Sequence, residues 1–116
     1  MNALFPSLQP EPDADTAYTH PDVAAACARV LLEGAHAPLI WEPCAGNGAW
    51  LPALRGHGRV VASELDPKAG SVQRHESSVW DARRAPLTIA PEAICTNPPF
   101  SIAAQLLRGW LAIPSV

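Results

Sequence analysis

Asn97-Pro98-Pro99-Phe100 is the most chemically specific stretch of the sequence. Two consecutive prolines remove two backbone donors and fix φ, leaving stiff carbonyl acceptors and the Asn97 amide oxygen directed at one place. Acceptors grouped in this way suit a planar –NH2 group, which donates two hydrogen bonds. Holding both N–H groups draws the nitrogen toward tetrahedral geometry and frees its lone pair for attack. Phe100 can then stack on a flat base or pack on an amide. A second constellation is Glu42-Pro43-Cys44-Ala45-Gly46-Asn47-Gly48. Its glycines let the backbone approach a ligand closely, and the helix start behind them offers free N–H groups to a carboxylate. Alone, this Gly-x-Gly pair is equally compatible with a plain tight turn. The dinucleotide fingerprint needs a third glycine where Leu51 stands, which disfavours a nicotinamide cofactor. Glu64 lies 18 residues beyond Gly46 and Asp66 lies 20 beyond it. A carboxylate at that spacing can accept both hydroxyls of a ribose. Glu64 is the better candidate, because Asp66-Pro67 has the character of a helix cap. Asp81 can accept from an exocyclic adenine amine, or it can be a helix cap or a surface acid.

The elements around these residues predict how they are positioned. Thr19-His20-Pro21-Asp22 opens a helix, with Pro at its first position and an acid in its first turn; Val23, Cys27, Val30 and Leu31 continue an apolar stripe up to Gly34. Leu39-Ile40-Trp41 predicts a strand that runs into the glycine-bearing loop, followed by a short helix over 49–55 that Gly56 ends. Arg59–Ser63 predicts a second strand, and a brief helix follows Asp66-Pro67. Ser77–Trp80 predicts a short third strand and Ala93–Thr96 a fourth. Ser101–Leu111 carries Ile102, Leu106, Leu107 and Trp110 at helical spacing. Strands alternating with helices predict an α/β fold with a parallel sheet of about four strands and helices on both faces. Residues 1–15, with Pro6, Pro10, Pro12 and no apolar period, predict an extended arm before a domain over 16–116.

Composition narrows the classes. With 116 residues, 48% of them hydrophobic and 16% charged, the chain has the size and apolar content of one folded domain. A net charge of −3 with a single Lys argues against holding a nucleic-acid backbone by bulk electrostatics, although seven Arg can form a local patch. Arg74, Arg83 and Arg84 can touch phosphates; a solvated face is the better expectation. Cys27, Cys44 and Cys95 have no paired spacing, which suits reduced thiols in a cytoplasmic protein and neither a disulfide framework nor a metal site. No apolar run approaches the length of a membrane span, and the start lacks the pattern of a signal peptide. His20, His36, His57 and His75 have no ligand spacing and are expected at the surface or as caps. Trp41, Trp50, Trp80 and Trp110 are expected in or near the core, with Trp50 able to wall a ligand pocket.

Taken together, these motifs resemble the N-terminal part of class I S-adenosylmethionine-dependent methyltransferases of the amino-nitrogen type, and are similar to those of DNA adenine-N6 methyltransferases. The resemblance covers residues 18–111. It implies a Rossmann-like fold, S-adenosyl-L-methionine as cofactor and an exocyclic amine as methyl acceptor. By it, Glu42, Pro43, Cys44, Ala45, Gly46 and Gly48 belong to the cofactor loop, and Glu64 is the ribose acid with Leu65 beside it. Asp81 becomes the adenine-contacting acid, and Asn97, Pro98, Pro99 and Phe100 the catalytic tetrapeptide, with Asn97 also near the cofactor. Tyr18-Thr19-His20-Pro21 resembles a Tyr-x-Thr-Pro stretch that contacts the methionine end, although His20 separates Thr19 from Pro21. The implied substrate is nucleic acid, DNA before RNA, with a protein amide or a non-catalytic cofactor-binding module as alternatives.

Catalytic domains of this kind have about seven strands, whereas this sequence stops where a fifth is expected, and the segment between Asp66 and Asp81 is short. A minimal protein, a fragment and one half of an assembly all remain compatible. In the implied strand order the fourth strand lies beside the first and would become an edge. Leu106, Leu107 and Trp110 of the last helix would be left partly bare. A homodimer or a completing partner chain built around that strand and helix is therefore expected. The alternative is an arm carrying Leu4, Phe5 and Leu8 folded back over the gap.

Overall fold

The computed structural model describes residues 18–84 and 88–116. The expected arm, with Leu4, Phe5 and Leu8, lies outside the described residues. Among these residues four α-helices and four strands follow one another as α1 (Pro21–Leu31), β1 (Leu39–Glu42), α2 (Leu51–Arg55), β2 (Arg59–Glu64), α3 (Gly70–Gln73), β3 (Ser78–Val79), β4 (Ala93–Ile94) and α4 (Ala103–Leu111), the last preceded by a 3-10 turn over Phe100–Ile102. The strands form one parallel sheet in the order β3-β2-β1-β4. As the implied order requires, the fourth strand lies beside the first.

Local chemistry explains the boundaries. His20 is the N-cap of α1: its Nδ1 accepts from the Asp22 N–H at 3.1 Å, with Pro21 and Asp22 in the first turn. Asp66 does not cap a helix, contrary to expectation. Its Oδ1 accepts from the Lys68 N–H at 2.8 Å in a tight turn, and the N-cap of α3 is Ala69. β4 is shorter than expected, since the chain leaves the sheet ahead of Pro98 and Pro99, neither of which can donate to a ladder.

Alternation along β1 divides the core in two. Ile40 packs with Ala24, Ala28, Leu32, Trp50, Leu54 and Cys95 on one side of the sheet. Trp41 packs with Leu106 and Trp110 on the other, its ring edge-on to Trp110 with centroids 6.3 Å apart. Both indoles keep a polar partner: Trp41 Nε1 donates to Ser63 Oγ at 2.9 Å, and Trp110 Nε1 to the Ala82 carbonyl at 3.3 Å. This arrangement corrects the expectation for α4. Leu106 is 1% and Trp110 6% exposed, because the helix swings onto the Trp41 face; Leu107 stays 55% exposed. Trp110→Glu would therefore break the Trp41 core. Among the described residues β4 pairs with β1 alone, so its outer edge has no partner strand. No helix among them is long and apolar enough to cross a membrane.

Gly58 sets the start of the β1–β2 ladder. A Cβ there would lie 2.2 Å from the Pro38 carbonyl oxygen, the same oxygen that accepts from the Arg59 N–H at 3.1 Å. Backbone must move to admit it. Gly58→Ala is expected to lower stability by about 1–3 kcal/mol, the usual cost of overpacking. Gly109→Ala, which meets nothing within 4 Å in α4, is expected to raise it by about 0.4–1 kcal/mol. Urea denaturation of the two variants checks both signs.

Candidate functional site

Because all four strands run parallel, their carboxyl ends share one edge, and every sequence-derived site segment that follows a strand emerges there. Residues 43–48 follow β1, Leu65 and Asp66 follow β2, Trp80 and Asp81 follow β3, and Cys95–Phe100 follow β4. Ligands of open α/β sheets bind at such an edge.

The glycine loop is tied to its neighbour strand. Ala45 N–H donates to the Ser63 carbonyl at 3.0 Å, and Gly48 N–H to the Ala45 carbonyl at 2.7 Å. Glu64 spans the two loops: Oε1 accepts from Gly46 N–H at 3.0 Å and Oε2 from Asp66 N–H at 2.7 Å. Each oxygen keeps a further lone pair, so the carboxylate can still take a diol. Gly46 and Gly48 have φ of +53° and +87°, the left-handed region that glycine adopts without strain. At Gly46 there is a second constraint. A Cβ would lie 2.8 Å from Tyr18 Cε1, so the tyrosine ring rests on the loop. Thr19 Oγ1 accepts from Trp50 Nε1 at 3.1 Å, which fastens the same stretch to the buried tryptophan. Beside it, Thr19, Pro21, Asn47, Gly48, Ala49 and Pro52 line an open cleft of about 530 Å³.

From beneath, α3 holds the loop by contacts not anticipated from sequence. Ser71 donates to the Gly46 carbonyl through both N–H (3.0 Å) and Oγ (2.7 Å), and shares a hydrogen bond with Ser77 Oγ. Arg74 Nη2 donates to the Asn47 carbonyl, and Arg74 pairs with Glu76 Oε1 at 2.9 Å. Arg74 is exposed, as expected, and also braces the glycine loop.

Asp81 sits at the end of β3, but Arg83 grips both of its oxygens at 2.6–3.1 Å and holds the carboxyl down at about 2. Any adenine amine would have to share it. Leu65 is exposed beside Glu64, and Phe100, 70% exposed, opens the 3-10 turn after Pro98 and Pro99. On the far side of the sheet Trp41, Val61, Ser63, Val79, Trp80 and Ile89 line a separate apolar groove of about 200 Å³, for which the sequence carries no local signal.

Glu42 is strongly perturbed. It is fully buried, and Oε1 accepts from the Cys44 N–H at 2.9 Å. Burial pushes its carboxyl up from 4.5 to about 7; the nearby Thr96 hydroxyl and the Cys44 amide oppose the rise, and the Glu64 charge adds to it. Neither Glu42 Oε2 nor Thr96 Oγ1 makes a hydrogen bond of normal geometry. Burial, with the Glu42 charge, also raises the thiols of Cys44 to about 12 and Cys95 to about 11. Both stay protonated at neutral pH and are poor nucleophiles. Glu64 is thus bonded to Gly46 with Tyr18 against the same glycine, Thr19 is fastened to Trp50 nearby, and Glu42 lies on the strand between Glu64 and the strand end that carries Asn97. No family model matches the chain, and no curated protein gives a match.

Proposed function

We propose that the chain binds S-adenosyl-L-methionine along this edge and transfers its methyl group to an exocyclic amine, adenine N6 of DNA. The observation that carries this reading is the cluster of Glu64 bonded to Gly46 with Tyr18 over the same glycine, one strand away from Asn97-Pro98-Pro99-Phe100. The donor and acceptor set fits the cofactor. Glu64, at the strand edge where open α/β sheets take their ligands, retains acceptor capacity on both oxygens for a ribose diol.

When bound, the cofactor supplies an electrophilic methyl group on a sulfonium. Asn97 and the proline-bounded carbonyls hold the two N–H groups of the acceptor and direct its lone pair, while Phe100 covers the flat face of the base. Glu64 and the glycine loop fix the donor end, so catalysis is mostly positioning. The amine needs no base of shifted pKa, since the ammonium product sheds its proton readily. Protonated Cys44 and Cys95 fit direct transfer without a covalent enzyme adduct. A base inside a duplex is out of reach, so the acceptor must flip out or be single-stranded.

Incubating the purified chain with methyl-labelled cofactor and single-stranded DNA, duplex DNA, RNA or protein tests the reading. Label in DNA at adenine N6 supports it, with single strands favoured over duplex. Label only in RNA or protein moves the substrate class. Binding without transfer to any acceptor supports the rival, a cofactor-binding module.

A further inference from the structure

Glu42 Oε2 and Thr96 Oγ1 are the two buried side-chain polar atoms without a hydrogen-bond partner among the described residues. Leaving such an atom unpaired is costly, and these two are complementary: a carboxylate accepts and a hydroxyl donates. The register Trp41↔Ile94, continued by one residue, sets Cys95 beside Glu42, and the Cys95 N–H donates to the Trp41 carbonyl at 3.2 Å; Thr96 follows directly on the residue that faces Glu42. Glu42 opens the glycine loop, and Thr96 directly precedes Asn97. The charge on Glu42 is faced by Cys44 from its own loop, Cys95 from β4 and Glu64 from β2, and among the described residues it meets no cation. The Thr96 hydroxyl, which lies beside both Glu42 and the Cys44 thiol, is a stronger neutral donor than either protonated thiol.

We infer that Thr96 is a positioning residue whose hydroxyl engages Glu42 Oε2, joining the Asn97 strand end to the glycine loop. The link itself is a property of the free chain; only its catalytic consequence rests on the methyl-transfer reading. Both atoms are buried, and the Thr96 hydroxyl lies near enough to act on the Glu42 carboxyl. Thr96→Val keeps the shape and removes the donor, while Thr96→Ser keeps the donor.

Carbon-13 NMR of the glutamate carboxyls in the cofactor-free chain, with Glu42 assigned by its loss in Glu42→Gln, tests the link directly. In Thr96→Val the Glu42 midpoint is expected to rise by about one pH unit, the size of a lost hydrogen bond to a charged group. The Asn97 side-chain amide resonances are expected to move with it. In Thr96→Ser both stay in place. An unchanged Glu42 midpoint in Thr96→Val overturns the link, and an unmoved Asn97 amide overturns the positioning role. Both results are obtained whether or not the chain transfers methyl groups. If it does, Thr96→Val is expected to lower kcat about tenfold with KM for the cofactor unchanged, and Thr96→Ser to restore it; equal losses in the two variants contradict the role.

Discussion

Asn97→Ala is expected to lower methyl transfer by about 10²–10³-fold, the usual effect of deleting one preorganised polar contact at the reacting centre. Cofactor affinity in the same variant is expected to change by no more than about twofold. The separation follows from the layout of the edge. Asn97 follows β4, whereas Glu64, Gly46 and Tyr18 form their cluster around the ends of β1 and β2. A contact made to the acceptor amine as it becomes tetrahedral acts on kcat, and one made to the cofactor acts on binding. Single-turnover transfer and calorimetric titration of one preparation measure both. Equal losses would place Asn97 in the cofactor contact rather than at the acceptor.

The second large effect is a dependence of stability on pH that originates in Glu42. Its folded-state value of about 7 lies above the ordinary 4.5, so the native chain binds more protons than the unfolded chain between those values. Stability must therefore fall as pH rises from about 4.5 to 7 and level off above. A displacement of that size corresponds to about 3 kcal/mol. Asp81 works in the opposite sense and elsewhere: Arg83 holds it at about 2 against 3.8, so its contribution is present above about 3.8 and is lost as pH falls toward 2. The two windows do not overlap. In Glu42→Gln, which has nearly the same shape and cannot ionise, the decline across pH 4.5 to 7 is expected to vanish. Urea titrations at several pH values measure it, and an identical slope in both proteins would assign the decline to other groups.

Much of the fold is legible because its signals are local. Arg59–Ser63 and Leu39–Trp41 are apolar runs bounded by turn chemistry, and Thr19-His20-Pro21-Asp22 announces a helix by its own capping groups; the corresponding elements are β2, β1 and α1. Parallel pairing follows from the alternation of strand and helix. Contacts made across the chain are not legible in this way. That Trp110 lies on Trp41 depends on where α4 swings after the 3-10 turn, and no spacing within Ser101–Leu111 reveals it. Arg74 looks like any solvated arginine until His75, in the left-handed region at φ +60°, follows it in the turn after α3 and its guanidinium reaches the Asn47 carbonyl. Asp81 has the type and position of a ligand acid, yet Arg83, two residues on, occupies it. At the candidate site the glycines and Glu64 are marked by type and spacing. Thr96 is marked only as a polar residue ending an apolar strand, and its importance depends on the burial of Glu42 on the neighbouring strand.

Glu64, Gly46 and Tyr18 are proposed to hold S-adenosyl-L-methionine. Calorimetric titration of this cofactor into the folded chain and into Glu64→Ala, each checked by circular dichroism, tests this most directly. Saturable one-to-one binding is predicted for the chain, weakened in the variant by about 1–3 kcal/mol, or roughly 5- to 150-fold, as a ribose bond is lost and its partner left unpaired. Absence of saturable binding to the folded chain, or equal affinity in Glu64→Ala, would contradict it.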